Sequence, residues 1–512
     1  MKRNKTGPMG SASSRRGVTA GTNAAEPTAG GWRLNPRVIA SRWGWKGAGR
    51  GRAAVLDPGA VYLSSTMQTA GLYPFVLGGG LPPEGVPIGY DQLTHELVCF
   101  DPSGWIGSLL TNPGVWIQAQ PGVGKSAIAK RICLIYNAYG YKLVVPGDVK
   151  GEYADLVTKL EGQVVRIGRG LDRLNPLDSG PLRRVLPTLA PGRREALLSE
   201  MNGRRSELLH ALLTTEMERR PSSTERNVME NAIRLVASRT LGEDDPVIPD
   251  VVKVLREGPT ELRSHLMVDT EDDYRGLVRE VTHALENLCQ GPLAGLFDGP
   301  TTRPLDLDAP ALSVDLSSLL TAGDQVVSAG LLATWAYAYS SIDSARAVGL
   351  MDSPLVLPLD EMWRALRAGP GIVNAFDAMT RLNRAKNEVT LFITHSLRDP
   401  ESLPTAEDRA KALGMIDRCD SMILGALSVG ELERVSAQRP LTDAEIALIA
   451  SWSDSTGTGL DVDGQRRVHP GRGKYMLRLG TRPGTPVRLA LTDAERRLYE
   501  TDPHKITKGV SA

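Results

Sequence analysis

One stretch constrains the fold more than any other: Gly114–Tyr136, GVWIQAQPGVGKSAIAKRICLIY. A short apolar run breaks at a turn containing Gly122 and Gly124. Lys125 and Ser126 then open a segment whose apolar residues (Ile128, Ile132, Leu134, Ile135) recur at helical spacing and which stops near Gly140. The turn, Ala119–Ser126 (AQPGVGKS), matches the phosphate-loop pattern GxxxxGK[ST] at Gly124, Lys125 and Ser126, with Ala119 in place of the first glycine. Glycines let successive backbone N–H groups curl around a phosphate without an obstructing Cβ, and the following helix points its positive end at the same spot. Gln120, Pro121, Gly122, Val123, Gly124, Lys125, Ser126 and Ala127 are therefore expected to cradle a nucleoside triphosphate, ATP first among them. Lys125 would reach the β- and γ-oxygens and Ser126 would ligate Mg²⁺. A chance GKS beside a flexible turn is the bland alternative, but it lacks a reason for the flanking strand and helix.

Strand and helix signals alternate around this loop: KLVVPGD, then EYADLVTKLEG, then QVVRIG. They return at ALSVDLSSL, SPLVLPLDE, VTLFITHS and SMILGAL. That alternation predicts an α/β core with a mainly parallel sheet. Between the two blocks, residues 183–295 carry long charged amphipathic segments and no strand signal, which predicts an all-helical insertion. GKYMLRLG and TPVRLALT around the turn TRPG predict a C-terminal β-hairpin. The expected organisation is a basic tail at 1–52, a small β-rich lead-in at 53–112, core at 113–182, insertion at 183–295, core again at 296–500, and a tail at 501–512.

A second motif completes a nucleotide site. PLVLPLDEMW is an apolar run ending in Asp360 and Glu361. Carboxylate oxygens suit Mg²⁺, so Asp360 would orient the ion through water and Glu361 would activate the attacking water as general base. Pro358 sits awkwardly in a central strand because it lacks a ladder donor. The rival reading makes Asp360 and Glu361 the acidic start of a helix, and Asp315 in SVDLSSL is a second acidic strand end, ranked behind as structural. VTLFITHS ends in Thr394, His395 and Ser396. Thr394 and His395 fit a γ-phosphate sensor, whereas Thr394 or Ser396 fits a helix cap equally well. Upstream, Arg381 and Arg384 lie three apart on one helical face. They suit arginine fingers reaching a neighbouring subunit's phosphate, or a solvated basic face.

Charge is uneven although the net is only +1. Residues 1–52 hold eleven Lys/Arg against the single acid Glu26, leaving 49 basic and 58 acidic residues for the rest. Such a tail reads as a solvated disordered segment, with contact to nucleic acid, anionic lipid or a neighbouring subunit as the functional alternative. The four cysteines and seven histidines show no metal-ligand spacing. The longest apolar run, Val326–Tyr339, falls short of the ~18 residues a membrane span needs and reads as a buried helix. No secretory signal is recognisable at the N-terminus, so a cytoplasmic site, peripheral to the membrane through partners, is expected.

Taken together, several strings make the chain resemble the ATPases of conjugal transfer, cytoplasmic motors of type IV secretion within the HerA–FtsK-like class. They are GDVKGEYADLVTKLEGQVVRIGRG with LNPLD, GPLAGLFDGPTT with SVDLSSL, DEMWRAL, RLNRAKNEVTLFITHS, LTDAEIALIASW and GKYMLRLGTRPGTPVRL. The resemblance spans roughly residues 80–495. It implies a RecA-like P-loop core with a helical insertion, hexameric assembly, and partners in a membrane secretion or conjugation complex. By position it gives Lys125 and Ser126 to phosphate and Mg²⁺, Asp360 and Glu361 to the second acidic motif, and Arg381 and Arg384 to the fingers. His395 stands where the family usually has glutamine, and Ala119 where it has glycine. A larger N-terminal domain precedes the loop in full family members, where here about a hundred residues do. The expected function is an ATP-driven motor for conjugative transfer of DNA or protein. The alternatives are a double-stranded DNA translocase of the same fold, with the basic tail on DNA, and an assembly protein that binds ATP with negligible turnover.

Overall fold

The computed structural model describes residues 81–239, 245–360, 388–401, 403, 405–453 and 469–499. All of them belong to one unit, Gly78–Ala512.

The organising element is a single eleven-stranded sheet. Its strands are β1 (Val86–Asp91), β2 (Leu97–Phe100), β3 (Val115–Gln118), β4 (Lys142–Asp148), β5 (Gln163–Arg166), β6 (Ala311–Asp315), β7 (Leu355–Leu359), β8 (Glu388–Thr394), β9 (Ser421–Leu424), β10 (Lys474–Leu479) and β11 (Thr485–Leu489). The spatial order is β2-β1-β11-β10-β9-β3-β8-β7-β4-β6-β5. From β9 to β5 every pairing is parallel; β10, β11, β1 and β2 continue the sheet antiparallel. The core is thus the mainly parallel α/β arrangement expected. β3, β4, β6, β7 and β8 are buried along their whole length, which is why they read as continuous apolar runs rather than alternating ones.

The hairpin β10–β11 forms as the TRPG turn predicts. Within the expected β-rich lead-in, residues 95–102 (HELVCFDP) supply β2, whereas residues 53–63 (AAVLDPGAVYL), its other β-like run, lie outside the described residues. β1 pairs with β11 through Gly89↔Leu489 to Asp91↔Val487, so the segment before the loop shares the core's own sheet. Pro358 is accommodated as well. The β7–β4 ladder consists of Lys142↔Leu355 and Leu143↔Val356, and ends before Pro358 or the Pro146 of β4 is reached. No bond on that side waits for the missing donors.

Helix α1 (Lys125–Ala138) follows the loop, and α2 (Ala154–Lys159) joins β4 to β5. Among the described residues, five helices of two turns or so and longer then precede β6: α3 (Pro191–Glu216), α4 (Ser223–Arg239), α5 (Ile248–Glu257), α6 (Thr260–Leu266) and α7 (Glu271–Leu288). α8 (Asp324–Ala347) is buried along most of its length and packs between β4 and α3. The run Val326–Tyr339 is its apolar part; Ser340–Ala347 prolongs it with polar residues. Among the described residues no helix is long and apolar enough to cross a membrane. The C-terminal part adds α9 (Ala406–Asp417), α10 (Val429–Gln438), α11 (Asp443–Ser451) and α12 (Asp493–Tyr499).

Candidate nucleotide site

Parallel strands present all their carboxyl ends on one edge, and ligands of open α/β sheets bind there. In this sheet Gln118 of β3 is in register with Thr394 of β8, and Leu359 of β7 with Phe392 of β8. The residues that follow, Ala119 onward, His395 and Asp360, therefore emerge side by side. A cavity of about 750 Å³ opens at this edge, within the range of nucleotide-sized pockets. Pro121, Gly122, Val123, Gly124, Lys125, Ser126 and Ala127 form one wall, and Asp360 and His395 stand in another. Gln120 is not among its lining residues; its N–H donates to Ala426 O at 3.0 Å.

The loop has the backbone its composition predicts. Gly122 (φ 79°) and Gly124 (φ 108°) are left-handed, and a Cβ on Gly124 would lie 2.9 Å from Tyr475 Oη. Ala119 needs no glycine dihedral and is fully buried. Its methyl fits because position 425 is glycine: a Cβ there would come within 2.6 Å of Ala119 Cβ and 3.0 Å of Val123 Cγ1. Backbone bonds hold the pieces together, from Gly425 N to Gln118 O at 2.8 Å and from Gly473 N to Val123 O at 3.0 Å. Tyr475 of β10 adds an O–H donated to Gly124 O at 2.7 Å. Burial pushes the Tyr475 hydroxyl's pKa up, so it stays a donor.

Lys125 is buried, and its ammonium folds back over the loop. It donates to Ala119 O at 2.8 Å, Gln120 O at 3.2 Å and His395 Nδ1 at 2.7 Å. With the ammonium as donor, Nδ1 accepts, which places the ring proton of a neutral His395 on Nε2. Thr394 is turned away from this contact: its hydroxyl donates to Ser396 O. Ser396 Oγ accepts from Arg398 N at 3.0 Å, just ahead of the short helix Arg398–Glu401, while His395 takes the cavity-facing position. Asp315 ends β6, as a strand residue, in register with Asp148. Glu361, Arg381 and Arg384 lie outside the described residues.

Sequence reading missed half of the cavity wall. Lys150 and Glu152 line it from the loop after β4. Asp148 holds that loop by accepting from Glu152 N at 3.0 Å and Tyr153 N at 2.7 Å. Burial raises the Asp148 carboxyl to about 6 despite those two donors. The signal was present in GDVKGEY, a glycine-flanked charged turn at a strand's carboxyl end. Arg472, Tyr475, Arg488, Arg496 and Tyr499 close the opposite side from the C-terminal hairpin and α12. α12 is anchored on α1, where Arg131 Nη1 meets Glu495 at 2.6 Å. Beside it Lys130 Nζ, with no hydrogen-bond partner among the described residues, lies 5.6 Å from the Tyr153 ring and 5.8 Å from the Tyr499 ring. Burial lowers the Lys130 pKa, opposed by Glu152, Asp148, Asp360 and Asp155.

The residues fit a magnesium nucleotide. Glycine dihedrals leave the loop open to a phosphate, Lys125 brings positive charge, and Ser126 and Asp360 offer hard oxygens. Mg²⁺ is commonly bound through one or two protein oxygens, with substrate phosphates and water completing its shell, so these two suffice for a protein contribution.

The chain resembles a solved structure of VirB4 from Thermoanaerobacter pseudethanolicus. The TM-score is 0.62 at 19% identity, over 81% of this chain and 99% of that one. The two share a fold. A structure of the plasmid coupling protein TrwB in complex with ADP and Mg²⁺ aligns over 74% of this chain and 86% of its own, with TM-score 0.48 and 10% identity. No protein-family model and no curated protein matches the sequence. The VirB4 likeness bears out the RecA-like α/β core with its helical insertion.

Proposed function

We propose that the chain is a Mg²⁺-dependent ATPase that works as a homo-oligomeric, hexameric ring and energises conjugative transfer of DNA or protein. One observation carries the reading: Pro121–Ala127 of the phosphate loop and helix start, Asp360 and His395 meet in one nucleotide-sized cavity at the carboxyl edge of a parallel sheet. The VirB4 fold and the string-by-string resemblance to conjugal-transfer ATPases support the motor class.

In this reading an incoming triphosphate replaces the loop carbonyls and His395 as the partner of Lys125. Lys125 then neutralises β- and γ-oxygens, and His395, released, turns its ring N–H toward the γ-phosphate. Ser126 and Asp360 would hold Mg²⁺, which when bound draws charge from the phosphate oxygens. Glu361 takes the proton of the attacking water. As the water oxygen bonds to the γ-phosphorus, the bridging P–O bond breaks and its electron pair leaves with ADP. Arg381 and Arg384 would complete a neighbouring subunit's site. The N-terminal basic tail would supply DNA contact, and membrane-bound secretion components would be the docking partners.

The test is phosphate release with Mg²⁺ and with a chelator, across protein concentrations, with and without DNA. Release should require Mg²⁺, rise per subunit with concentration, and fall at least ~100-fold in Lys125→Ala. Equal rates for Lys125→Ala and parent would reject the site. A rate that needs duplex DNA would favour a translocase. Tight nucleotide binding without release over hours would replace the motor with an assembly protein.

A further inference from the structure

A buried carboxylate is bonded to the residues that flank Ala119 and His395, two of the partners of Lys125. Glu431 of α10 is 9% exposed. Its Oε1 accepts from Ser396 Oγ at 2.7 Å, and its Oε2 accepts from Leu397 N at 3.1 Å and from Gln118 Nε2 at 3.1 Å. Arg398 Nε lies 3.5 Å from Oε1. Gln118 is itself oriented, because its Oε1 accepts from Trp116 Nε1 at 3.1 Å and so leaves Nε2 for Glu431.

These partners are not scattered. Gln118 immediately precedes Ala119, whose carbonyl holds Lys125, and Ser396 and Leu397 immediately follow His395. One carboxylate therefore ties together the strand end that carries the phosphate loop and the loop that carries His395. A carboxylate has about four lone-pair sites, and three hydrogen-bond donors and a guanidinium fill them here. A buried ion so satisfied fixes geometry, because moving the His395 loop would strand its charge.

We propose that Glu431 is a positioning residue: acting through Ser396 and Leu397, it sets the place of His395 against the phosphate site and links that site to α10. This rests on the nucleotide-hydrolysing reading above. The bland alternative is that Glu431 only fastens α10 to the sheet, in which case its loss would lower stability without touching discrimination of the γ-phosphate.

The experiment uses the full chain and compares parent, Glu431→Ala, Ser396→Ala, His395→Ala and the double variant Glu431→Ala/His395→Ala. It measures kcat and KM for ATP, and the ratio of Kd for ADP to Kd for a slowly hydrolysed ATP analogue. All measurements are made well below each variant's melting temperature. Glu431→Ala is expected to lower kcat at least tenfold with KM within threefold, and to shift the Kd ratio to that of His395→Ala. Ser396→Ala should move both in the same direction by a smaller factor. The double variant should be no slower than His395→Ala alone, since Glu431 acts through that residue. A kcat and Kd ratio within twofold of parent in Glu431→Ala, or a double variant tenfold slower than His395→Ala, would overturn the proposal. Should Glu431→Ala fail to fold, Ser396→Ala decides by the same criteria: a twofold or greater loss of kcat at constant KM supports it, and parent values overturn it. A parent that neither binds nor hydrolyses nucleotide would instead sink the underlying reading.

Discussion

Replacing Gly425 with alanine probes how this loop tolerates Ala119. The new Cβ would start 2.6 Å from Ala119 Cβ and 3.0 Å from Val123 Cγ1. Carbon atoms in contact settle about 3.5–4.0 Å apart, so roughly an ångström must be found. Neither neighbour supplies it by rotating: Ala119 has no rotamer, and Val123 is β-branched and buried. The backbone must move instead, and it is pinned by Gly425 N on Gln118 O and Gln120 N on Ala426 O. Overpacking of this kind costs about 1–3 kcal/mol, and here the displaced atoms belong to the phosphate loop. Gly425→Ala should therefore lose both stability and nucleotide affinity. Ala119→Gly alone should cost about 1–2 kcal/mol, from the lost methyl burial and the added chain freedom. The double variant Ala119→Gly/Gly425→Ala moves the methyl across the contact and should recover most of the Gly425→Ala loss, giving a coupling of at least about 1 kcal/mol. Urea unfolding and titration with a fluorescent nucleotide measure both quantities on the same four proteins. Losses in the double variant that equal the sum of the singles, or a Gly425→Ala protein indistinguishable from parent, would refute the packing argument.

Two further outcomes follow from buried charges. Asp148 titrates at about 6 in the fold against an ordinary 3.8, so its contribution to stability is full at low pH and is lost as pH rises through 6. That shift is worth about 3 kcal/mol, and parent stability measured against Asp148→Asn should fall by up to that amount between pH 4 and 7.5; a constant difference would contradict it. The Arg131–Glu495 pair is largely shielded from water, and Arg131 also donates to Pro87 O. Glu495→Gln should destabilise by about 3 kcal/mol in denaturant, with Arg131→Leu/Glu495→Leu recovering much of it; a single-variant loss under 0.5 kcal/mol would show the pair to be solvent-screened.

The phosphate loop, its strand and helix, the helical block before β6 and the C-terminal hairpin were all legible in the sequence. Each rests on local signals: glycine dihedrals, the apolar spacing of Ile128 and Ile132, and a turn between two alternating runs. The same locality explains what was missed. Lys150 and Glu152 were written in a recognisable string, but nothing in that string says β4 ends beside the phosphate loop. Thr394 and His395 are neighbours in sequence, and only the fold turns the first into its own loop and the second into the cavity. Pro358 reads as a defect in isolation and is harmless because the β7–β4 ladder stops short of it.

By itself, then, the sequence determined that a phosphate-cradling loop sits between a buried strand and a helix, and which residue types stand ready to meet phosphate. The tertiary structure decided which strands are neighbours. That choice brings Tyr475 onto Gly124 across 351 residues and Glu431 onto Gln118 across 313. It also sets Gly425 against Ala119, so that a substitution that looks like a lost glycine becomes a fitted methyl. The physical reason is that backbone propensity and periodicity act over a few residues, whereas strand order and close packing are settled by contacts between segments that no local pattern relates.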